Sequence, residues 1–361
     1  MEDKLLNKSI KLLLFIFLAA VILHYGKPFF VPLTIAGLLS MLFLPLSVKM
    51  EKRGINKAIS VILCILLVVV FFGSIVGLLA WQVSDISQNS AQIEQSITQK
   101  VQQVKEYLTN SLGISQQKQQ EMMQKQQQSS GGKLSSMMSM VLTSLGTFLT
   151  NFLLVLIYIF LFMYFRTHLK KFILKLFPKT KQAEAGKTIE EARQVAQKYI
   201  TGLMLMIVGL WIMYSIGFAI AGVKNFFFFA ILCGLLEIVP FVGNLVGNAL
   251  TIIVSLAQGG SMNVVIGILI TYALVQFIQS YILEPLVVGS EVNINPVFTI
   301  VGIIGGEFIW GIPGMILAVP ILGIIKIISD HVEPLKPIGF LIGEEKKANS
   351  SIIDKVKKGF K

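Results

Sequence analysis

The chain has 361 residues, 54% of them hydrophobic and 14% charged, with a formal charge of +12 and a mean hydropathy of +0.75. Such apolar content exceeds that of a soluble globular chain, which excludes water as the main solvent. The positive residues fall in short blocks beside apolar runs, where they set membrane orientation, and that placement argues against nucleic-acid binding.

In chain order, apolar runs occur at 10–26, 29–48, 58–83, 141–165, 199–221 and 264–282. A helix of about 20 apolar residues covers the hydrocarbon core of a bilayer. The runs are continuous and rich in Leu, Ile, Val and Phe, without the alternation that a membrane barrel needs. The expected fold class is therefore an all-α polytopic membrane protein with about six full spans. After the first run, HYGKPFF offers no small-residue cleavage site and a second apolar run follows at once, so this run is expected to stay as a span.

Lys and Arg in the short flanks give the orientation. Residues 1–11 carry Lys4, Lys8 and Lys11, the loop 49–57 carries four basic residues against one acid, and 166–198 carries nine against three. All three belong in the cytoplasm, as does the tail 331–361 with its seven basic residues, so both termini are expected inside the inner or plasma membrane. The intervening 84–140 is then extracytoplasmic. Its Ile86, Ile93, Ile97, Val101, Val104 and Leu108 mark one face of a helix, which reads as an outer helical hairpin prolonging spans three and four, or as a cap or oligomer contact. The chain divides into N-terminal spans (1–83), this outer segment, span four with its cytoplasmic linker (141–198), a transport core (199–330) and the basic tail.

Two longer apolar elements, 226–257 and 297–328, are each interrupted by Pro and Gly. The first break holds Pro240 and Gly243; the second holds Gly311, Pro313 and Gly314. Each half is about 21 to 26 Å long at the helical rise, enough to reach mid-bilayer and return. With the tail inside, both elements cross or both re-enter. As re-entrant hairpins they enter from opposite sides with tips near the midplane, the pattern of discontinuous helices in secondary transporters. Two kinked single spans satisfy the same count.

Ionisable groups inside lipid are costly, which makes each one a functional candidate. Glu237 lies three residues before Pro240 and Glu307 just before the second break, so each element brings one carboxylate to its tip. They read as proton carriers or cation ligands, or as neutral acids bonded to freed backbone. Tyr272, Gln276 and Gln279 share a face of the span between the elements, Glu284 closes that helix, and Asn244 and Asn248 follow the first tip. Together they suit a path for a small polar solute or a monovalent cation. Cys64 and Cys233 sit in apolar runs as buried thiols. His24, at a span end beside Lys27, reads as an interfacial residue.

No enzyme is expected. All four aspartates, Asp3, Asp85, Asp330 and Asp354, lie outside the apolar spans, HExxH, GxSxG and Walker motifs do not occur, and three scattered histidines make no metal site. No cofactor is expected beyond H+ or Na+ as a coupling ion.

EIVPFVGN, from Glu237 to Asn244, and the run from Glu284 to Pro320, with Pro285, Gly289, Pro296, Gly305, Gly306, Gly311, Gly314 and Pro320 in order, resemble the autoinducer-2 exporter family of bacterial membrane proteins. The resemblance implies a secondary transporter, exporting a quorum-sensing signal or exchanging sodium or lithium for protons. Many members have proline directly after the glycine of the first tip, where this chain has Asn244. Three expectations follow: a gradient-driven exporter of a small polar solute, with Glu237 and Glu307 coupling ions; a Na+/Li+/proton antiporter; or a non-transporting scaffold whose outer helices bind a partner. Gly302, Gly305 and Gly306 would allow close helix contacts in a homo-oligomer.

Overall fold

The computed structural model of the protein describes residues 2–88, 133–239, 243–288 and 294–344. They form α1 (Glu2–Tyr25), α2 (Lys27–Lys52), α3 (Lys57–Gln88), α4 (Lys133–Lys175), α5 (Gln182–Ile220), α6 (Phe226–Leu236), α7 (Gly243–Ala257), α8 (Met262–Ile278), a π-helix (Gln279–Val288), α9 (Pro296–Trp310), α10 (Ile312–His331) and α11 (Lys336–Ile342). Among the described residues there is no strand, only an isolated bridge between Ile294 and Gly343. Helices close every backbone hydrogen bond within the segment, as lipid demands.

Among the described residues six helices are long and apolar enough to cross a membrane, and the protein is a multi-pass, all-α membrane protein. Five of the six coincide with expected runs. The sixth is α10, the second arm of the second broken element. The first expected run falls almost wholly in the 24-residue α1, with Leu13–Tyr25 as its apolar part among the described residues. The helices α3 and α4 extend past their spans toward the outer segment. Of its apolar stripe Ile86 lies in α3, while Ile93 through Leu108 fall outside the described residues, as does 345–361 of the tail.

Both broken elements double back. In the first, α6 and α7 pack side by side: a Cβ at Gly243 would collide with the Leu236 carbonyl, and one at Gly247 would stand 3.0 Å from Cys233 Sγ. In the second, Gly306 faces Gly314, and Gly302 faces Leu322. Small residues at these points are what let the arms touch. The second turn is a single residue, Gly311, at φ 68°, a left-handed conformation that strains any side chain.

The helices α2 and α5 carry the rest. One apolar cluster joins α5, from Met206 to Phe218, to α6 through Phe229 and Cys233 and to α8 through Ile268 and Val275. A second joins Ala196, Tyr199 and Ile200 of α5 to Val31 and Leu38 of α2 and to Trp310 and Leu317 of the second hairpin. A third holds α2, α3 and α4 together around Ala36, Cys64 and Ile159. The two hairpins thus rest on different stretches of α5. At the basic ends of the helices, Arg166 of α4 grips Glu51 of α2 with both guanidinium nitrogens, and His331 of α10 lies 3.2 Å from Glu191 of α5.

Candidate functional site

The first break ends α6 at Glu237 and restarts the chain at Gly243; Pro240, named in the sequence reading of this tip, lies outside the described residues. Both flanks of the break are held by α8 and the π-helix that continues it. Gln279 donates to Glu237 Oε1 at 3.0 Å, and Asn244 donates to Gln276 Oε1. Gln276 in turn reaches Ser280 Oγ at 3.3 Å. Gln276 and Gln279 are three residues apart, hence on one face, and that face spans the break.

This clasp lies deep. Gln276 comes fourteen residues after the start of α8 at Met262, or about 21 Å along the helix, against a hydrocarbon core of roughly 30 Å. Gln279 is 3% and Asn244 8% exposed, while Glu237 is half-buried. The helix widens into π geometry at Gln279. Pro285, which has no N–H to donate to the carbonyl four residues back, accounts for the wider turn.

From Asn244 the polar contacts continue along α7. Asn248 donates to the Asn244 carbonyl at 2.8 Å and to the Tyr214 hydroxyl of α5 at 3.3 Å. Thr251 Oγ1 donates to the Gly247 carbonyl and lies 3.7 Å from Cys233 Sγ. Tyr214, Thr251 and Ser280 were not anticipated. Tyr214 gives no signal in an apolar run, but Asn244, Asn248 and Thr251 keep helical spacing that the sequence displays openly.

The second tip has other partners. Trp310 Nε1 donates to the Leu23 carbonyl at 2.9 Å, and His24 Nδ1 lies 3.1 Å from the Ile309 carbonyl. The tip therefore docks on the α1–α2 turn, not against the first tip at mid-depth, and the expected site between the two breaks does not form there. Glu307 is exposed on α9 between Ile304 and Phe308, which are 48% and 78% exposed. Its side chain is not among the groups gathered at Glu237. His24 is exposed at its helix end and also touches this tip.

Of the remaining expected residues, Tyr272 is half-buried one turn before Gln276, and Gly314 is buried at the hairpin contact. Pro313 occupies the first turn of α10, a position where its missing N–H costs nothing. Glu284 lies in the π-helix, its side chain outside what is described. Among the described residues no group of three or more His, Cys, Asp or Glu side chains is placed to hold a metal ion. A cavity of about 200 Å³ between α2, α3 and α5 is lined by apolar side chains such as Leu39, Phe71, Ile207 and Trp211, which offers nothing to a polar solute.

An amide-rich centre with one acid is thus clasped at a helix break inside the bundle of a multi-pass membrane protein. The chain belongs to the AI-2E transporter family, which it matches over residues 10–333. It is 27% identical to YueF of Bacillus subtilis over 334 residues, 87% of this chain and 89% of that one. It is 23% identical to YrrI of the same organism, covering 84% and 87%, and 24% identical to MT0215 of Mycobacterium tuberculosis, covering 80% and 79%. All three are provisionally named as transport proteins.

Proposed function

We propose that the protein is a gradient-driven secondary transporter of a small polar solute, with both termini in the cytoplasm and the first hairpin re-entering the cell membrane from outside. The observation that carries this reading is the clasp across the first break, with Glu237 held by Gln279 and Asn244 by Gln276. A carboxylate deep in an apolar bundle is costly unless it is neutralised. Binding H+ or Na+ neutralises it, so occupancy by the ion and the stability of the clasp are linked. Releasing the ion leaves a charge that favours opening of the tip, and the freed Asn244, Gln276 and Gln279 amides then meet the solute with donors and acceptors. Half-helix ends at such a break add fixed dipoles of the kind transporters use.

The direction is read as export, of the kind the family name implies, of a signal-sized polar molecule. The test is flux in reconstituted vesicles under an imposed pH or sodium gradient, with polar solutes, Na+ and Li+ in separate arms. Gradient-dependent movement of a polar solute supports the reading. Movement of Na+ or Li+ alone would make the protein a cation/proton antiporter, and loss of the cellular phenotype on deleting 86–128, with Glu237 freely replaceable, would make it a scaffold.

A further inference from the structure

Along α7, polar residues recur at Asn244, Asn248, Thr251, Ser255 and, one residue past the helix end, Gln258. Steps of four, three, four and three keep them on one face, running about 21 Å from the tip to the loop that follows Ala257. The first four are 8%, 5%, 0% and 4% exposed. The other face of the helix carries Leu245, Val246 and Ile253, all exposed and apolar. The orientation is therefore inverted relative to a soluble helix: the polar stripe points inward.

The stripe is also underbonded. Asn248 Oδ1, Ser255 Oγ and Gln258 Oε1 are buried with no hydrogen-bond partner among the described residues. The orientation of Asn248 is fixed, since its amide nitrogen faces the Asn244 carbonyl, which can only accept. Its oxygen is thus left facing a region with no donor. Three such groups at successive turns are costly if dry, and small polar partners are what satisfy them.

We propose that the inward face of α7 is a hydrated file joining Glu237 at the first tip to the loop 258–261. Water is the occupant, donating in turn to Gln258, Ser255 and Asn248, with the Thr251 hydroxyl as the narrow point beside Cys233. A proton entering at the loop passes from one water to the next and leaves the last water for the Glu237 carboxylate. Each water that gives up a proton regains one from its neighbour, so no other reactant is needed. This deepens the proposed function by assigning Glu237 an access side, but the file itself is testable without any transport.

The experiment uses the full chain in lipid nanodiscs with Cys64→Ser and Cys233→Ala, single reporter cysteines, and silver ions as a small water-borne thiol reagent. Ser255→Cys and Asn248→Cys should both react, while Ile253→Cys, on the lipid face, should stay silent. Adding Thr251→Val, which keeps the volume and removes the hydroxyl, should slow Asn248→Cys by at least about tenfold and leave Ser255→Cys unchanged. If Asn248→Cys does not fold, native Cys233 serves as the inner reporter in its place. Silence at both stripe positions, or equal effects of Thr251→Val on the two, would overturn the file. Because reactivity is read without flux, a failed file and a failed coupling role for Glu237 give separate results.

Discussion

The two broken elements share a plan, two apolar helices about a Pro/Gly break, and differ in what is built at the break. In Phe226–Ala257 a carboxylate and an asparagine flank the break, and α8 with the π-helix that continues it supplies a glutamine to each. In Pro296–His331 it shrinks to Gly311 alone, the arms close on Gly306 and Gly314, and the tip is anchored by Trp310 to the α1–α2 turn. One break gathers polar side chains, and the other makes a tight, anchored corner. A shared sequence pattern therefore does not imply a shared role.

That contrast can be broken in graded steps. The largest stability effect belongs to the anchored corner. Gly314→Ala places a methyl against the Gly306 carbonyl and should cost about 1–3 kcal/mol, seen as a lower thermal midpoint in detergent, with the lost stability tracking lost flux. In the first hairpin, Gln279→Ala removes the donor to Glu237 Oε1, and weakening the contacts of a buried polar group costs about 1–2 kcal/mol. Here flux should fall several-fold while the thermal midpoint moves less than for Gly314→Ala. Equal ratios of flux loss to stability loss in the two variants would erase the distinction between the hairpins.

Smaller effects sharpen it. Trp310→Phe keeps the packing but drops the hydrogen bond to Leu23, at about 1 kcal/mol of stability with no change in ion dependence. Glu307→Gln should change gradient-driven flux by less than about twofold, measured beside wild type in vesicles, since that side chain lies apart from the clasp. A large loss there would restore the pairing of acids that the sequence suggested.

The spans were legible because membrane solvation leaves so few options: runs of Leu, Ile, Val and Phe must be helices, and five of the six long apolar helices among the described residues were found from such runs. The doubling-back of both elements was one of two readings that their Pro and Gly left open, since a break of that kind suits a hairpin turn and a kinked span alike. What could not be read was the partner of each tip. Nothing in GIPG or in HYGKPFF announces that Trp310 will reach Leu23, because such contacts span hundreds of residues and depend on backbone carbonyls that every residue has. The second element was read to 328, past Pro320, but with a half-length second arm, whereas α10 runs 20 residues from Ile312 to His331. In the site, Gln276 and Gln279 stood out as amides in an apolar run. Thr251 and Ser255 did not, although they continue the period of Asn244 and Asn248, because small hydroxyls are ordinary in membrane helices.

The central claim is that Glu237 carries the coupling ion. Its most direct test compares wild type and Glu237→Gln in vesicles with a pH dye trapped inside, challenged with the transported solute while pH and sodium gradients are imposed in turn. Wild type should couple solute movement to one of the two gradients, and the folded Glu237→Gln protein should ignore both. Retention of wild-type coupling by Glu237→Gln would contradict the account.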